Sequence, residues 1–459
     1  MSKKQLGAYL LAILTAGCAN QALGTGNGKA FWEAKAKPDR SIQNAANGRV
    51  MVLLREGADV GAFQARLAAS GIRLRGIEAT LGLASVEGVT PASLEGDPAV
   101  AGAQYDMPRP RLHPVAARHL ARQEGATAEP PVPEPLQELQ WGLASIQAPE
   151  AWAAGAEGRG ARVAVLDTGI DVDNPDLTPN LDLANSRSFI TTEDLTDLHG
   201  HGSHVAGTIA AARNGFGVVG VAPAAQVVAV KVLDQQGYGD DFGIMQGIRY
   251  AADLGVNVIN MSLETRLPWG SAEAGQLAIA YSRAIRYATR RGALVVAGSG
   301  NDAESELFSG WTHLPVSLPN VLGVSATGPV GQQNFNAFAI YSNYGSTLVD
   351  LAAPGGGIAY DPQTGPQVVD PRDLVLSTWS THALPQVIIG YPIGPALWSY
   401  FAGTSMACAH VSGVAALAFA VHHEPPSTIA ARLRNTAQGT GFNPYLGNGI
   451  VNALRAIGR

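Results

Sequence analysis

From Leu136 to the C-terminus, short apolar runs alternate with helical patterns, and this alternation limits the chain to few architectures. Strand-like runs occur at Ala161–Leu166, Gln226–Leu233, Val256–Leu263, Ala293–Ala297 and Asn320–Ala326. They are almost continuously apolar rather than alternating, as expected of strands buried on both faces of a parallel sheet. Helical patterns separate them, notably Phe242–Leu254 and Leu277–Arg291. The fold class is therefore α/β, a mostly parallel sheet with helices on both faces. In such sheets functional side chains collect beyond the carboxyl ends of the strands.

The chain ahead of this region is built differently. Residues 1–18 carry Lys3 and Lys4, an apolar run from Leu6 to Leu14 and the small residues Thr15-Ala16-Gly17. That is the layout of an export signal, too short to span a bilayer. The residues before Cys18 resemble a bacterial lipobox, which implies lipidation at Cys18, a mature N-terminus there and attachment to a membrane of the cell envelope. Ordinary secretion with an incidental Cys and a retained segment are the competing outcomes. Residues 19–47 are rich in Gly, Ala and Asn and read as a tether. Residues 48–107 read as a small unit in the order β-α-β-β-α-β, the ferredoxin-like split arrangement, with the second helix opening at Thr90-Pro91. Residues 108–135 hold several Arg and end in Ala-Glu-Pro-Pro-Val-Pro-Glu-Pro, an extended linker open to proteolysis. Residues 136–459 form the α/β domain. Within it, Gly357–Tyr400 is a long Pro-rich insertion that reads as a surface excursion.

A net charge of −6 gives no reason to expect nucleic acid or an anionic membrane as partner. Two cysteines, Cys18 and Cys408, cannot form a disulfide framework, so packing and bound ions must stabilise the fold.

The stretch Phe401–Phe419, FAGTSMACAHVSGVAALAF, concentrates the chemistry. Gly403 allows a turn, Thr404 and Ser405 suit a helix start, and the remainder is small and apolar. A helix N-terminus offers unpaired N–H groups and partial positive charge, a suitable place for a hydroxyl beside a developing oxyanion. A Ser acting only as a helix cap is the plain alternative. Three other stretches supply what a nucleophile needs. Val163–Ile170 is a buried strand ending in Asp167, Leu198–Gly207 carries His201 ahead of a small-residue helix, and Val295–Asn301 runs into a turn exposing the Asn301 amide.

At these residues the chain resembles the subtilisin-like serine proteases. The matching motifs are Asp167-Thr-Gly, His201-Gly-Ser-His-Val-Ala-Gly, Val258-Ile-Asn-Met-Ser-Leu263, Gly300-Asn301 and Gly403-Thr-Ser-Met-Ala407. They occur in the chain order Asp, His, Ser of that family. The resemblance implies a serine endopeptidase in which Ser405 attacks the scissile carbonyl, His201 moves the proton and Asp167 orients the imidazole. The oxyanion would be held by the Asn301 amide and the Ser405 N–H. An imidazole base acts only when neutral, so activity should rise across roughly pH 6 to 8. The small N-terminal unit resembles the family's propeptide, which implies a zymogen whose own propeptide inhibits it. Protein or peptide substrates would add as a strand between Gly237-Tyr238-Gly239 and Ser262-Leu263-Glu264. Glu264 stands where the family usually has Gly. With Asp302 it places two carboxylates beside the primary pocket, which implies a preference for a basic residue before the cut. The resemblance also implies a structural Ca²⁺ held by Gln137, Asp176 and Asn214, oxygen donors of the kind Ca²⁺ takes; a tight Gly turn with no ion is the alternative.

His199, His201 and His204 have no zinc-ligand spacing and no accompanying Cys. His199 reads as loop, His204 as structural, and Cys408 as a small core residue rather than a second nucleophile. The competing classes are a non-catalytic binding protein on the same scaffold and an α/β-hydrolase esterase. The first would lack part of the Asp-His-Ser-Asn set. The second needs a G-x-S-x-G elbow that the chain does not have.

Overall fold

A computed structural model describes residues 48–112, 118–119, 134–384, 391–393, 397–439 and 441–459. The export signal with Cys18, the tether and most of the linker beyond Leu112 lie outside the described residues.

Strand β1 (Arg49–Leu54) is apolar on both sides because both sides are buried. Val50, Val52 and Leu54 face one way, packing on Phe63 and Leu67 of α1 (Val60–Ala69). Met51 and Leu53 face the other way, as the two-residue period of a strand requires, and join the core of the following domain. With β2 (Arg73–Glu78), β3 (Leu83–Glu87) and β4 (Val100–Tyr105) it forms an antiparallel sheet ordered β2-β3-β1-β4. The expected second helix is only a 3-10 turn, Pro91–Leu94, because Gly96 and Pro98 follow too closely for a full helix. The chain then leaves as β5 (Arg109–Pro110).

The α/β domain is built on seven parallel strands. They are β6 (Arg162–Asp167), β7 (Arg187–Ser188), β8 (Gln226–Lys231), β10 (Val258–Met261), β11 (Leu294–Gly298), β12 (Val321–Thr327) and β13 (Leu351–Pro354), together with the short β9 (Tyr238–Gly239) outside the sheet. The order is β13-β12-β11-β10-β6-β8-β7. All five strand-like runs of the sequence are in it, and β7 and β13 are additions. On one face lie α2 (His201–Ala210) and α5 (Thr404–His422), packed against each other and the sheet. On the other face lie α3 (Asp241–Asp253) and α4 (Ala272–Arg290). Helix α5 is long and apolar enough to cross a bilayer, but most of it is buried inside the protein.

The N-terminal unit seats on α3 and α4. Arg49 pairs with Asp240 (2.9 Å), and Arg283 donates to the carbonyls of Leu54 (3.0 Å) and Gly82 (3.1 Å). Asp106 Oδ1 accepts the Asp241 (3.0 Å) and Phe242 (3.4 Å) N–H groups, so a carboxyl group from outside covers the start of α3.

Two expectations change. The beginning of the linker is not open, since Arg111 is 1% exposed. Nor is the insertion wholly superficial. Its strands β14 (Val375–Thr378) and β15 (Trp398–Phe401) pair antiparallel, are buried throughout, and β14 packs on α2.

Candidate active site

Asp167 is the last residue of β6 and is buried. Its Oδ1 accepts the Thr168 N–H (2.8 Å) and lies 2.7 Å from His201 Nδ1. His201 opens α2 immediately after Gly200, whose φ is 98°. A Cβ at Gly200 would sit 2.5 Å from the Trp379 ring, so conformation and space both require glycine. The start of α2 is fixed by Asp197. Its Oδ1 accepts Thr168 Oγ1 (2.8 Å), the Gly200 N–H (2.8 Å) and the His199 N–H (3.1 Å). Its Oδ2 accepts the Ser203 N–H (2.8 Å) and hydroxyl (2.7 Å). Burial alone would raise this carboxyl, but the Gly200 N–H, the Ser203 donors and the Lys231 charge hold it below the ordinary carboxylate value. Thr168 Oγ1 also accepts the Gly202 N–H (2.9 Å), tying the end of β6 to the helix that carries the imidazole.

Ser405 is the second residue of α5 and half-buried. Its Oγ donates to the Ser262 carbonyl (3.3 Å), while Ser262 Oγ donates to the Ser405 carbonyl (2.9 Å). Asn260 fixes that exchange: Nδ2 donates to Ser262 Oγ (2.9 Å), and Oδ1 accepts from Ser412 Oγ (2.8 Å) and Cys408 Sγ (3.2 Å). Phe401, just ahead of the serine turn, places its ring 6.0 Å from that of His201. Imidazole and hydroxyl thus share one rim, beyond the carboxyl ends of β6, β10 and β11.

Asn301 follows β11. Its Oδ1 accepts the Thr404 N–H (2.9 Å) and hydroxyl (3.0 Å), which leaves the amide nitrogen as the end nearer Gly403. A Cβ on Gly403 would lie 3.4 Å from Asn301 Nδ2 and 3.7 Å from the Ser405 nitrogen. A side chain at residue 403 would thus lie beside both donors.

Both expected substrate edges are in contact with the chain's own segment. Tyr238 pairs with Pro110 and Gly239 with Arg109, antiparallel. The Arg111 N–H donates to the Gly237 carbonyl (3.0 Å), and the Glu264 N–H donates to the Arg111 carbonyl (3.0 Å). Arg111, Leu112, Ser262, Leu263, Glu264, Asn301 and Ser405 line one small cavity. Asp302 is not among its lining residues. Arg266 holds it at 2.6 Å, so the expected pair of pocket carboxylates reduces to the buried Glu264.

Residues 158–449 match the model of the subtilase family. The chain belongs to that family. It is 38% identical over 325 residues to M-protease of Shouchella clausii, covering 70% of each chain, and 38% identical to subtilisin Savinase of Lederbergia lenta, covering 70% of this chain and 99% of that one. Among solved structures it is similar to the epidermin leader peptide processing serine protease of Staphylococcus aureus. The TM-score is 0.71 at 20% identity, over 89% of this chain and 97% of that one, a likeness of fold. As a subtilase it is a serine endopeptidase acting on protein substrates.

Two further histidines, His199 and His204, lie close to His201 in sequence and are buried. Burial pushes His204 down to about 3, with Nε2 between the Ser399 (3.0 Å) and Val375 (3.1 Å) carbonyls. Burial likewise brings His199 to about 4. Burial pushes the Cys408 thiol up to about 12, in keeping with a core residue.

Two of the expected calcium donors, Asp176 and Asn214, lie near a further carboxylate, Glu134, that the sequence did not suggest. Asp176 and Asn214 face the same loop: Asp176 Oδ2 accepts the Trp398 indole (2.8 Å) and the Val218 N–H (3.0 Å), and Asn214 Nδ2 donates to the Pro175 carbonyl (3.0 Å). Asp176 Oδ1 is buried without a hydrogen-bond partner, and so is Oε2 of Glu134, whose other oxygen accepts the Gly215 N–H (2.8 Å). Burial raises Asp176 to about 6, and Glu134 adds to the rise. Two orphaned buried carboxylate oxygens fit a hard cation. Gln137 is half-buried at the 3-10 turn that follows.

Sequence reasoning missed Asp197, Lys231, Arg111 and Glu134. Only Asp197 carried a local signal, as an acid shortly before the His-Gly-x-His turn. The others depend on partners remote in sequence.

Proposed function

We propose that this subtilase is an exported endopeptidase made as a zymogen, in which Ser405, His201 and Asp167 carry out acyl transfer. The observation that carries the reading is the 2.7 Å contact of Asp167 with His201 at the rim where Ser405 lies between Asn301 and Ser262. In the reacting complex the Ser405 hydroxyl turns from Ser262 to His201 Nε2; such contacts are commonly loose before substrate binds. His201 removes the proton as Oγ attacks the carbonyl carbon, and returns it to the leaving amine. Asp167, through Nδ1, fixes the tautomer. Asn301 Nδ2 and the Ser405 N–H receive the oxyanion, each donor contributing about 10²–10³ in turnover.

Residues 48–107 act as the propeptide, and the segment Arg109–Leu112 blocks the cleft in the manner of a substrate until the chain is cut in the linker. Asp176 and Glu134, with Asn214, would hold a structural Ca²⁺, which would neutralise their charge and brace the loop; Gln137 is the candidate fourth donor. The signal at residues 1–18 directs export, and lipidation of Cys18 would hold the protease at the cell envelope.

The test is expression of wild type beside Ser405→Ala, with mass analysis of both. Wild type alone should release the N-terminal unit by cutting in the linker, and the variant should lose about 10⁶ in turnover. Equal processing of the two chains would refute the reading.

A further inference from the structure

The N-terminus of α3 carries two adjacent acids with different tasks. Asp240 is the helix cap, its Oδ1 accepting the Gly243 N–H at 2.7 Å. Asp241 is therefore not needed as the cap, yet it is fully buried. Its Oδ1 receives Arg111 Nη2 at 2.7 Å, and Tyr281 from α4 stands behind it with its hydroxyl 3.5 Å away. Arg111 Nε donates to the Gly239 carbonyl at 2.9 Å. Both sides of this ion pair have no exposed side-chain surface. Arg109 adds a weaker, partly exposed contact, with Nε 3.8 Å from Asp241 Oδ2 and its other arm on Glu273.

The two partners belong to different parts of the molecule. Arg111 lies on the segment that leaves when the zymogen matures, while Asp241 stays with the catalytic domain. Arg111 itself lies on the strand path: its backbone is hydrogen-bonded on one side to Gly237 and on the other to Glu264, and the next residue, Leu112, lines the same cavity as Arg111 and Ser405. A buried carboxylate that loses its partner is strongly disfavoured. A guanidinium restores both the charge balance and the fork of donors; an apolar side chain restores neither, and an acid repels.

We propose that Asp241 is a specificity-determining residue that selects substrates with an arginine upstream of the scissile bond, at the place Arg111 occupies in the zymogen. The substrate class is extended peptide segments carrying arginine there. This rests on the catalytic reading above and on the segment Arg109–Leu112 following the substrate's path.

The experiment uses the self-matured enzyme and a library of internally quenched peptides, varied one position at a time upstream of the cut. At one position arginine should exceed leucine or norleucine in kcat/KM by at least about 30-fold, the discrimination expected from a buried charge pair. In Asp241→Asn that ratio should fall towards one, and lysine should recover only part of it in wild type because it lacks the fork. Should the variant fail to mature, a synthetic peptide of residues 106–112 supplies the second measurement. It should inhibit wild-type enzyme competitively, and its Arg111→Leu version should bind at least about 30-fold more weakly. Wild-type enzyme that cuts peptides without an arginine preference upstream overturns the assignment of Asp241 and leaves the protease reading intact. An enzyme that cuts no peptide overturns the protease reading itself.

Discussion

Asp197→Asn tests how the imidazole is held in place. The carboxylate accepts five hydrogen bonds at the start of α2, two of them through Oδ2 from Ser203. An amide placed there turns one acceptor into a donor, so whichever end it presents, donors meet a donor. Losing two charge-assisted bonds at about 1.5–3 kcal/mol each gives about 3–6 kcal/mol. Loss of the negative charge at the helix N-terminus adds up to about 1 kcal/mol. Because the folded carboxyl sits below its ordinary value, its contribution is fully present above the unfolded pKa of about 3.9 and disappears as pH falls through the folded value. The gap between parent and variant should therefore be constant from neutral pH to about pH 4.5 and narrow below that. Urea unfolding in a Ser405→Ala background, free of self-digestion, measures the stability. In the active background kcat/KM should fall by about 10²-fold, as expected when a catalytic group shifts by an ångström. A destabilisation under about 1 kcal/mol, or a gap that widens in acid, would refute the argument.

Chelation should lower Tm by several degrees, and Asp176→Asn or Glu134→Gln should each shrink that response; a melting curve indifferent to EDTA in all three proteins would remove the cation. Gly300→Ala places a methyl 2.1 Å from Glu264 Oε2 and 2.3 Å from Asn343 Nδ2 at a φ of 103°. It should cost about 2–5 kcal/mol and displace Asn301, seen as a lower Tm together with a lower kcat. Native enzyme should resist bulky thiol reagents, since Cys408 is fully buried with its thiol pushed up to about 12; labelling should appear only on unfolding. Burial, with Asp240 and Asp241 close by, raises Asp106 well above the usual carboxylate value in the docked state. Docking stabilisation from this group is thus complete in acid and lost as pH rises through the docked value, so the cleaved N-terminal unit should dissociate faster at pH 8 than at pH 5. Asp106→Asn should flatten that dependence, and faster dissociation in acid would contradict it.

The parallel strands were legible because strands buried on both faces must be apolar throughout, and Val163 to Leu166 or Val295 to Ala297 admit few other readings. The side chains proposed as catalytic were legible because their settings are local: Asp167 ends a strand, His201 and Ser405 open helices, and Asn301 follows a glycine. Strand β13 was not, since Leu-Ala-Ala-Pro is short and ends in proline. The 3-10 turn at Pro91–Leu94 carries a cap and a proline that equally announce a helix, and only the nearby Gly96 and Pro98 cut it short. Arg111 was hidden for another reason. A charged residue in a Pro-rich stretch is ordinarily exposed, and what buries it is a carboxylate 130 residues away. Glu134 was obscured in the same way, its partner loop lying at Gly215.

Strand β1 sends Val50, Val52 and Leu54 into its own small core and Met51 and Leu53 into the core beneath α3 and α4. If residues 48–107 leave as the proposed propeptide, their departure strips a greasy seat off both fragments at once. The protease so freed would keep a bare patch on its helical flank, and the detached piece a sheet that has lost its cover. Reassembly after complete unfolding of such a trimmed enzyme would have to proceed without that mould, which would make the proposed maturation a step taken in one direction.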